Sequence, residues 1–169
     1  MTMPGYRPEE FKPEIIQVGY VLSKVKTNAI LQDGYYVLPK EARTLSKRTK
    51  KFLHLDEEVF FNDAKPYDFF YENLRHIMET YQPKLVVWGK NDLVALSDSF
   101  TLHDKVRIID NHNFIDLLKL HKDYFNLRDD LGLFKAYQTY YDVTFDQAHD
   151  AKDDAFVTKP VFDAFLSYM

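Results

Sequence analysis

The fold is decided by a short stretch that reads Lys84-Leu-Val-Val-Trp88. Its apolar residues are continuous, which is typical of a strand buried on both faces of a parallel sheet. A second run of this kind, Val106 to Ile109, predicts a neighbouring strand, and the residues between them, Leu93 to Phe100, indicate a helix. We therefore expect a strand–helix–strand unit whose two strands are parallel.

The segment before this unit alternates apolar and polar residues instead. Glu14 to Leu22 has this period-two pattern, which predicts a strand with one buried face. Ala29 to Leu38 predicts its hairpin partner, and Pro39 ends it. We expect the hairpin to lie in the same mixed sheet as the buried strands, covered by helices on both faces, which is an α/β architecture.

Helical periodicity accounts for much of the remaining sequence. Pro66 opens the strongest helix and Pro160 falls inside the last one. The predicted helices are a short basic one from Leu45 to Leu55, then Tyr67 to Tyr81, Phe114 to Tyr124, Leu131 to Tyr141 and Ala151 to Leu166.

Composition excludes several classes of protein. The 169 residues suffice for a single domain, and 46% of them are hydrophobic, which is too many for a disordered chain. The absence of cysteine excludes disulfide scaffolds, cysteine nucleophiles and thiolate zinc sites, and it suits a reducing cytoplasm. A net charge of -4 disfavours generic duplex binding, and we expect no membrane association because no apolar run has the length of a span.

The residues best suited to chemistry lie in two places. One is the stretch His149-Asp-Ala-Lys-Asp-Asp154, where Asp150 and Asp153 resemble a capping pair for the last helix. With His149 on the loop before that helix and Asp154 in its first turn, both side chains can point into one site. The other is Asp92, four residues past Trp88, at the carboxyl end of a buried strand where ligand sites of α/β sheets collect.

Three motifs in order resemble the DEDDh 3′–5′ exonucleases, closest to the branch with KapD and the histone-mRNA exonucleases. They are Pro13-Glu-Ile-Ile-Gln-Val-Gly19, Val87-Trp-Gly-Lys-Asn-Asp92-Leu-Val-Ala-Leu96 and His149-Asp-Ala-Lys-Asp-Asp154-Ala155. The resemblance covers essentially the whole chain and implies an RNase H-like fold. It also implies hydrolysis of phosphodiester bonds at the 3′ end of single-stranded RNA or DNA.

The resemblance assigns roles to individual residues. Asp92 and Asp154 match carboxylates that hold two divalent ions, Mg²⁺ or Mn²⁺, and His149 matches the general base. Carboxylates suit these hard ions, and an imidazole with a pKa near 6.5 can accept a proton at neutral pH. Thr2 and Met3 match the region that contacts the terminal nucleotide. Trp88 either stacks on a base or forms the wall of the pocket.

The sequence departs from the family at its start. The family's first motif, Asp-x-Glu on the central strand, would precede Thr2 and is missing, so we expect residues 1–169 to be one N-terminally truncated exonuclease-like domain with Met1 an internal methionine. We expect weak or no nuclease activity from it, with Glu14 a poor substitute. The alternatives are an inactive module that binds nucleic acid or protein, and a small-molecule phosphoesterase.

A basic stretch gives a further candidate for substrate contact. It either steers a nucleic acid strand toward the site or is a solvated helix face. Its members are Lys40, Arg43, Lys47, Arg48, Lys50 and Lys51.

Overall fold

The computed structural model describes residues 13–25, 27–41, 44–141 and 151–169. Two strands, β1 (Gln17–Ser23) and β2 (Ala29–Tyr36), form an antiparallel hairpin in which Gly19 lies opposite Gly34. The hairpin predicted from the alternating pattern is thereby confirmed.

The predicted parallel pair exists, but one of its two strands was placed wrongly. β3 (Leu85–Val87) pairs in parallel with β4 (Phe114–Asp116) and not with Val106 to Ile109. The side chain of Val106 is 77% exposed and its carbonyl oxygen accepts a hydrogen bond from the Tyr71 hydroxyl at 2.8 Å. The backbone there is thus engaged outside a ladder. The strand forms after the 3₁₀ turn Asn111–Asn113, within residues that the sequence pattern placed in a helix.

Helices within the described residues mostly follow the predictions, except that the predicted basic helix is divided into two. The predicted basic helix ends early because His54 adopts a left-handed conformation with φ of 53°, and Asp56 then caps a second helix. The helices are α1 (Lys47–Leu53), α2 (Glu57–Asp63), α3 (Tyr67–Tyr81), α4 (Asn91–Leu102), α5 (Leu117–Tyr124), α6 (Leu133–Tyr141) and α7 (Ala151–Leu166).

The two strand pairs are separate sheets in the part of the chain that the structure describes, so the prediction of one shared sheet is wrong for these residues. A common apolar core nevertheless joins them. In it Val18 of the hairpin and Leu85 of β3 pack together with Phe70 of α3 and Phe100 of α4. Apolar side chains, and not ladder hydrogen bonds, connect the two sheets in this region.

The last helix also connects the two strand pairs. α7 contacts β1, β2 and β3, and its Val161 and Phe165 are completely buried against α6 and the start of α5. Pro160 lies within this helix, as the sequence indicates. None of the helices in the described ranges is long and apolar enough to cross a membrane.

Candidate active site

Asp92 lies in the first turn of α4, directly after a tight turn that follows β3. Gly89 makes this turn with φ of +96°, a conformation that side chains with a Cβ rarely adopt. The turn is fixed from two sides. The Gly89 N–H donates to Asp116 Oδ1 at 3.1 Å, and the Trp88 indole N–H donates to the Leu131 carbonyl at 2.9 Å.

Trp88 is half-buried and belongs to the aromatic and aliphatic cluster between α5, α6 and α7. Its ring centroid lies 5.6 Å from that of His121. These contacts fix the indole against the cluster, four residues before Asp92 in the sequence. Contact between Trp88 and a terminal nucleotide stays a prediction.

Asp154 lies in the first turn of α7, and β1 holds the start of that helix. Gln17 is buried, and its Oε1 accepts a hydrogen bond from the Ala151 N–H at 3.2 Å. A Cβ on Gly19 would overlap backbone atoms of Ala151 and Lys152. The glycine therefore permits α7 to lie directly on the strand, and Gln17 fixes its first residue three positions before Asp154.

The two carboxylates have different environments. Trp88, four residues before Asp92, packs in the same cluster as Val157, three residues after Asp154, whereas the buried side chains of α4 pack in the cluster of the hairpin. The Asp92 side chain is half-buried, and Asp154 Oδ1 is inaccessible to water. The ranges described contain no group of three or more His, Cys, Asp or Glu side chains that could hold a metal ion. Convergence of Asp92, Asp154 and His149 on one cleft stays a prediction.

Three predicted site residues, Thr2, Met3 and His149, lie outside the described residues. The same holds for Arg43 of the basic stretch and for Asp150 of the predicted capping pair.

Glu14 has a structural position. Its carboxylate accepts hydrogen bonds from the backbone N–H groups of Lys40 at 2.5 Å and Glu41 at 3.3 Å. It thus holds the chain that leaves β2.

Some side chains of the basic stretch form contacts within the protein, and others are exposed. Lys40 Nζ donates to the Leu102 carbonyl at 2.7 Å, and Lys50 forms an ion pair with Glu57 at 3.0 Å. Three side chains of α1 remain exposed and could meet a nucleic acid strand: Lys47, Arg48 and Lys51.

Sequence reasoning missed two residues at this site, Asp116 and Gln17. Asp116 follows two apolar residues and caps α5 through the Lys119 N–H at 3.2 Å, so a capping signal was present in the sequence. Its bond to Gly89 spans 27 positions and has no local signature. Gln17 interrupts an apolar strand, and a polar residue there signals a specific partner.

His121 is the buried titratable group next to the site. It is 6% exposed, and its Nε2 lies 2.8 Å from the Tyr140 hydroxyl. Burial lowers the pKa of His121 and raises the pKa of Tyr140 to about 12. Both groups are therefore neutral at pH 7, and the hydroxyl and the ring share a hydrogen bond without charge.

Comparison with known proteins gives one curated relative and several solved structures. The chain is 28% identical over 163 residues to the probable 3′-5′ exonuclease KapD of Bacillus subtilis (strain 168), covering 95% of this chain and 78% of that protein. No family model matches.

The solved structures share the fold at low identity. The nuclease domain of 3′hExo, a DEDDh family member bound to rAMP, superposes with a TM-score of 0.83 at 18% identity, covering 99% of this chain and 88% of that one. A 3′-exonuclease described for 3′-end specific recognition of the histone mRNA stem-loop gives 0.80 at 16%, covering 99% and 78%. The fold class predicted from the sequence is thereby confirmed as that of these nuclease domains.

Proposed function

Because this chain is related to the DEDDh 3′–5′ exonucleases, we propose that it hydrolyses phosphodiester bonds at the 3′ end of single-stranded RNA or DNA. The observation that carries the proposal is the relationship along 95% of the chain, within which Asp92 and Asp154 each occupy the first turn of a helix.

The two carboxylates supply part of the ligand set that a hard divalent cation needs. Asp92 and Asp154 offer carboxylate oxygens, which Mg²⁺ and Mn²⁺ prefer. These two carboxylates would hold the ions. The chemistry supplied there by bound divalent ions is activation of water and stabilisation of the leaving oxygen.

His149 is proposed as the group that accepts the proton of the attacking water. It stands five residues before Asp154 in the sequence. An imidazole with a pKa near 6.5 is partly neutral at pH 7 and can take up that proton. Thr2, Met3 and Trp88 are proposed to contact the terminal nucleotide.

We also propose that residues 1–169 form one exonuclease-like domain whose own activity is weak. Asp92 and Asp154 correspond to two of the four carboxylates of the family. Two ligands hold a pair of ions less firmly than four, so the ions are expected to be weakly bound.

The test is degradation of 5′-labelled single-stranded RNA and DNA with Mg²⁺ or Mn²⁺. It uses this chain and a version preceded by a strand that ends in Asp-x-Glu. We expect shortening from the 3′ end, stronger in the extended version and lost in Asp92→Asn and Asp154→Asn. Asp98→Asn is the matched control, because Asp98 is exposed on the same helix as Asp92.

Two results would overturn the proposal. One is the absence of hydrolysis from both polypeptides, and binding of the strands without cleavage would then favour a binding module. The other is hydrolysis that survives both substitutions.

A further inference from the structure

We propose that Asp116 is a positioning residue for Asp92. Its carboxylate fixes the turn that delivers Asp92 to the first turn of α4, and this role is distinct from its capping of α5. The inference rests on the proposed function only where Asp92 is taken to bind metal.

The geometry joins the two residues through neighbouring strands. Asp116 ends β4 and lies opposite Val87, the last residue of β3, in the parallel register. From there Asp116 Oδ1 accepts the Lys119 N–H at 3.2 Å and the Gly89 N–H at 3.1 Å. One oxygen atom therefore connects the start of α5 to the turn after β3.

The turn needs such a partner. Gly89, with φ of +96°, is the most conformationally free residue type, and the turn it makes immediately precedes α4. The N-cap of α4, Lys90, forms no side-chain capping bond. The bond from Gly89 to Asp116 thus supplies a fixed point three residues before Asp92, where a side-chain cap of the helix would otherwise do so.

A capping role alone would not require this second bond. Asp56 caps α2 in the same way, with its Oδ1 accepting the Val59 N–H at 3.2 Å. Asp56→Ala therefore removes an equivalent cap from another helix and serves as the matched control. Asp116→Asn keeps an acceptor oxygen for both N–H groups and serves as the conservative variant.

The direct readout is hydrogen exchange of the Gly89 amide. The chain has five glycines, so selective ¹⁵N-glycine labelling gives few signals to assign. We expect Asp116→Ala to speed exchange of Gly89 about tenfold, as loss of a hydrogen bond to a charged group implies. Asp116→Asn and Asp56→Ala should leave it near the parent value.

The second readout is Mn²⁺ binding by calorimetry, on the version of the chain that carries the Asp-x-Glu strand. Removing the partner that orients a metal ligand typically weakens affinity 10–100-fold, so Asp116→Ala should lose about tenfold and Asp116→Asn little. Asp56→Ala should bind Mn²⁺ as the parent does.

The outcomes separate the two proposals. Unchanged Gly89 exchange in Asp116→Ala overturns the inference, whatever the activity. Faster exchange with unchanged Mn²⁺ affinity overturns the link to Asp92. A parent protein that neither binds Mn²⁺ nor hydrolyses strands defeats the proposed function, while the exchange measurement still decides whether Asp116 fixes the turn.

Discussion

Replacement of Gly19 by alanine tests the packing that places Asp154. In β1, a Cβ at this position would overlap the Ala151 carbonyl and the Lys152 nitrogen, all of them backbone atoms. Backbone cannot rotate away as a side chain can. The strand and α7 would therefore separate by roughly 1 Å or more before ordinary contact at 3.4 Å is restored.

The expected cost follows from that separation. Overpacking a tight core costs about 1 to 3 kcal/mol. The bond from Ala151 to Gln17 would also weaken, and a buried N–H left without its partner costs about 1 to 3 kcal/mol. We expect Gly19→Ala to lower the free energy of unfolding by about 3 kcal/mol or more, a large share of the roughly 5–15 kcal/mol of a typical domain.

Two other glycines provide graded controls in urea denaturation followed by circular dichroism. A Cβ on Gly34 would meet only side-chain atoms of Lys152, at 2.7 to 2.9 Å, so Gly34→Ala should cost clearly less. A Cβ on Gly132 would meet nothing within 4 Å, so Gly132→Ala should be neutral or slightly stabilising. The reasoning is refuted if Gly19→Ala unfolds at the same urea concentration as Gly132→Ala.

Two further predictions concern single side chains. Because burial lowers the pKa of His121, the folded state resists a proton that the unfolded chain accepts near pH 6.5. Stability should be retained above about pH 6.5 and decline below it, and His121→Phe should reduce this slope between pH 5.5 and 8; equal slopes would contradict the assignment. Glu14→Ala removes an acceptor for two N–H groups and should cost about 1 kcal/mol without changing hydrolysis per folded molecule. Lost hydrolysis at unchanged urea midpoint would instead place Glu14 in the reaction.

Short sequence patterns were sufficient to predict the elements whose formation depends on neighbouring residues. The hairpin followed from the apolar alternation between Glu14 and Leu22 and from its pairing partner a few residues later. α3 followed from a proline opening and a periodic apolar face. Both features depend on neighbours in the sequence, and a single chain displays them directly.

Structural features that depend on residues far apart in the sequence could not be predicted from these patterns. Val106 to Ile109 and Phe114 to Asp116 are both short runs with apolar residues, and periodicity cannot decide which one pairs with β3. The break at His54 depends on a left-handed conformation that is uncommon for residues other than glycine. The roles of Asp92 and Asp154 as ligands follow from the family resemblance and stay predictions. Gln17 and Asp116 could not be found in the same way, because their partners lie 134 and 27 positions away.

The contact between Gln17 and Ala151 also constrains the order in which parts of the protein can fold during synthesis. The two residues are 134 positions apart, so a ribosome adding about 5–20 residues per second needs on the order of ten seconds to synthesise the chain between them. During that interval the residues of the hairpin have been synthesised and the helix that covers its glycine face has not. Because an isolated two-stranded hairpin is at best marginally stable in water, its final packing must await α7.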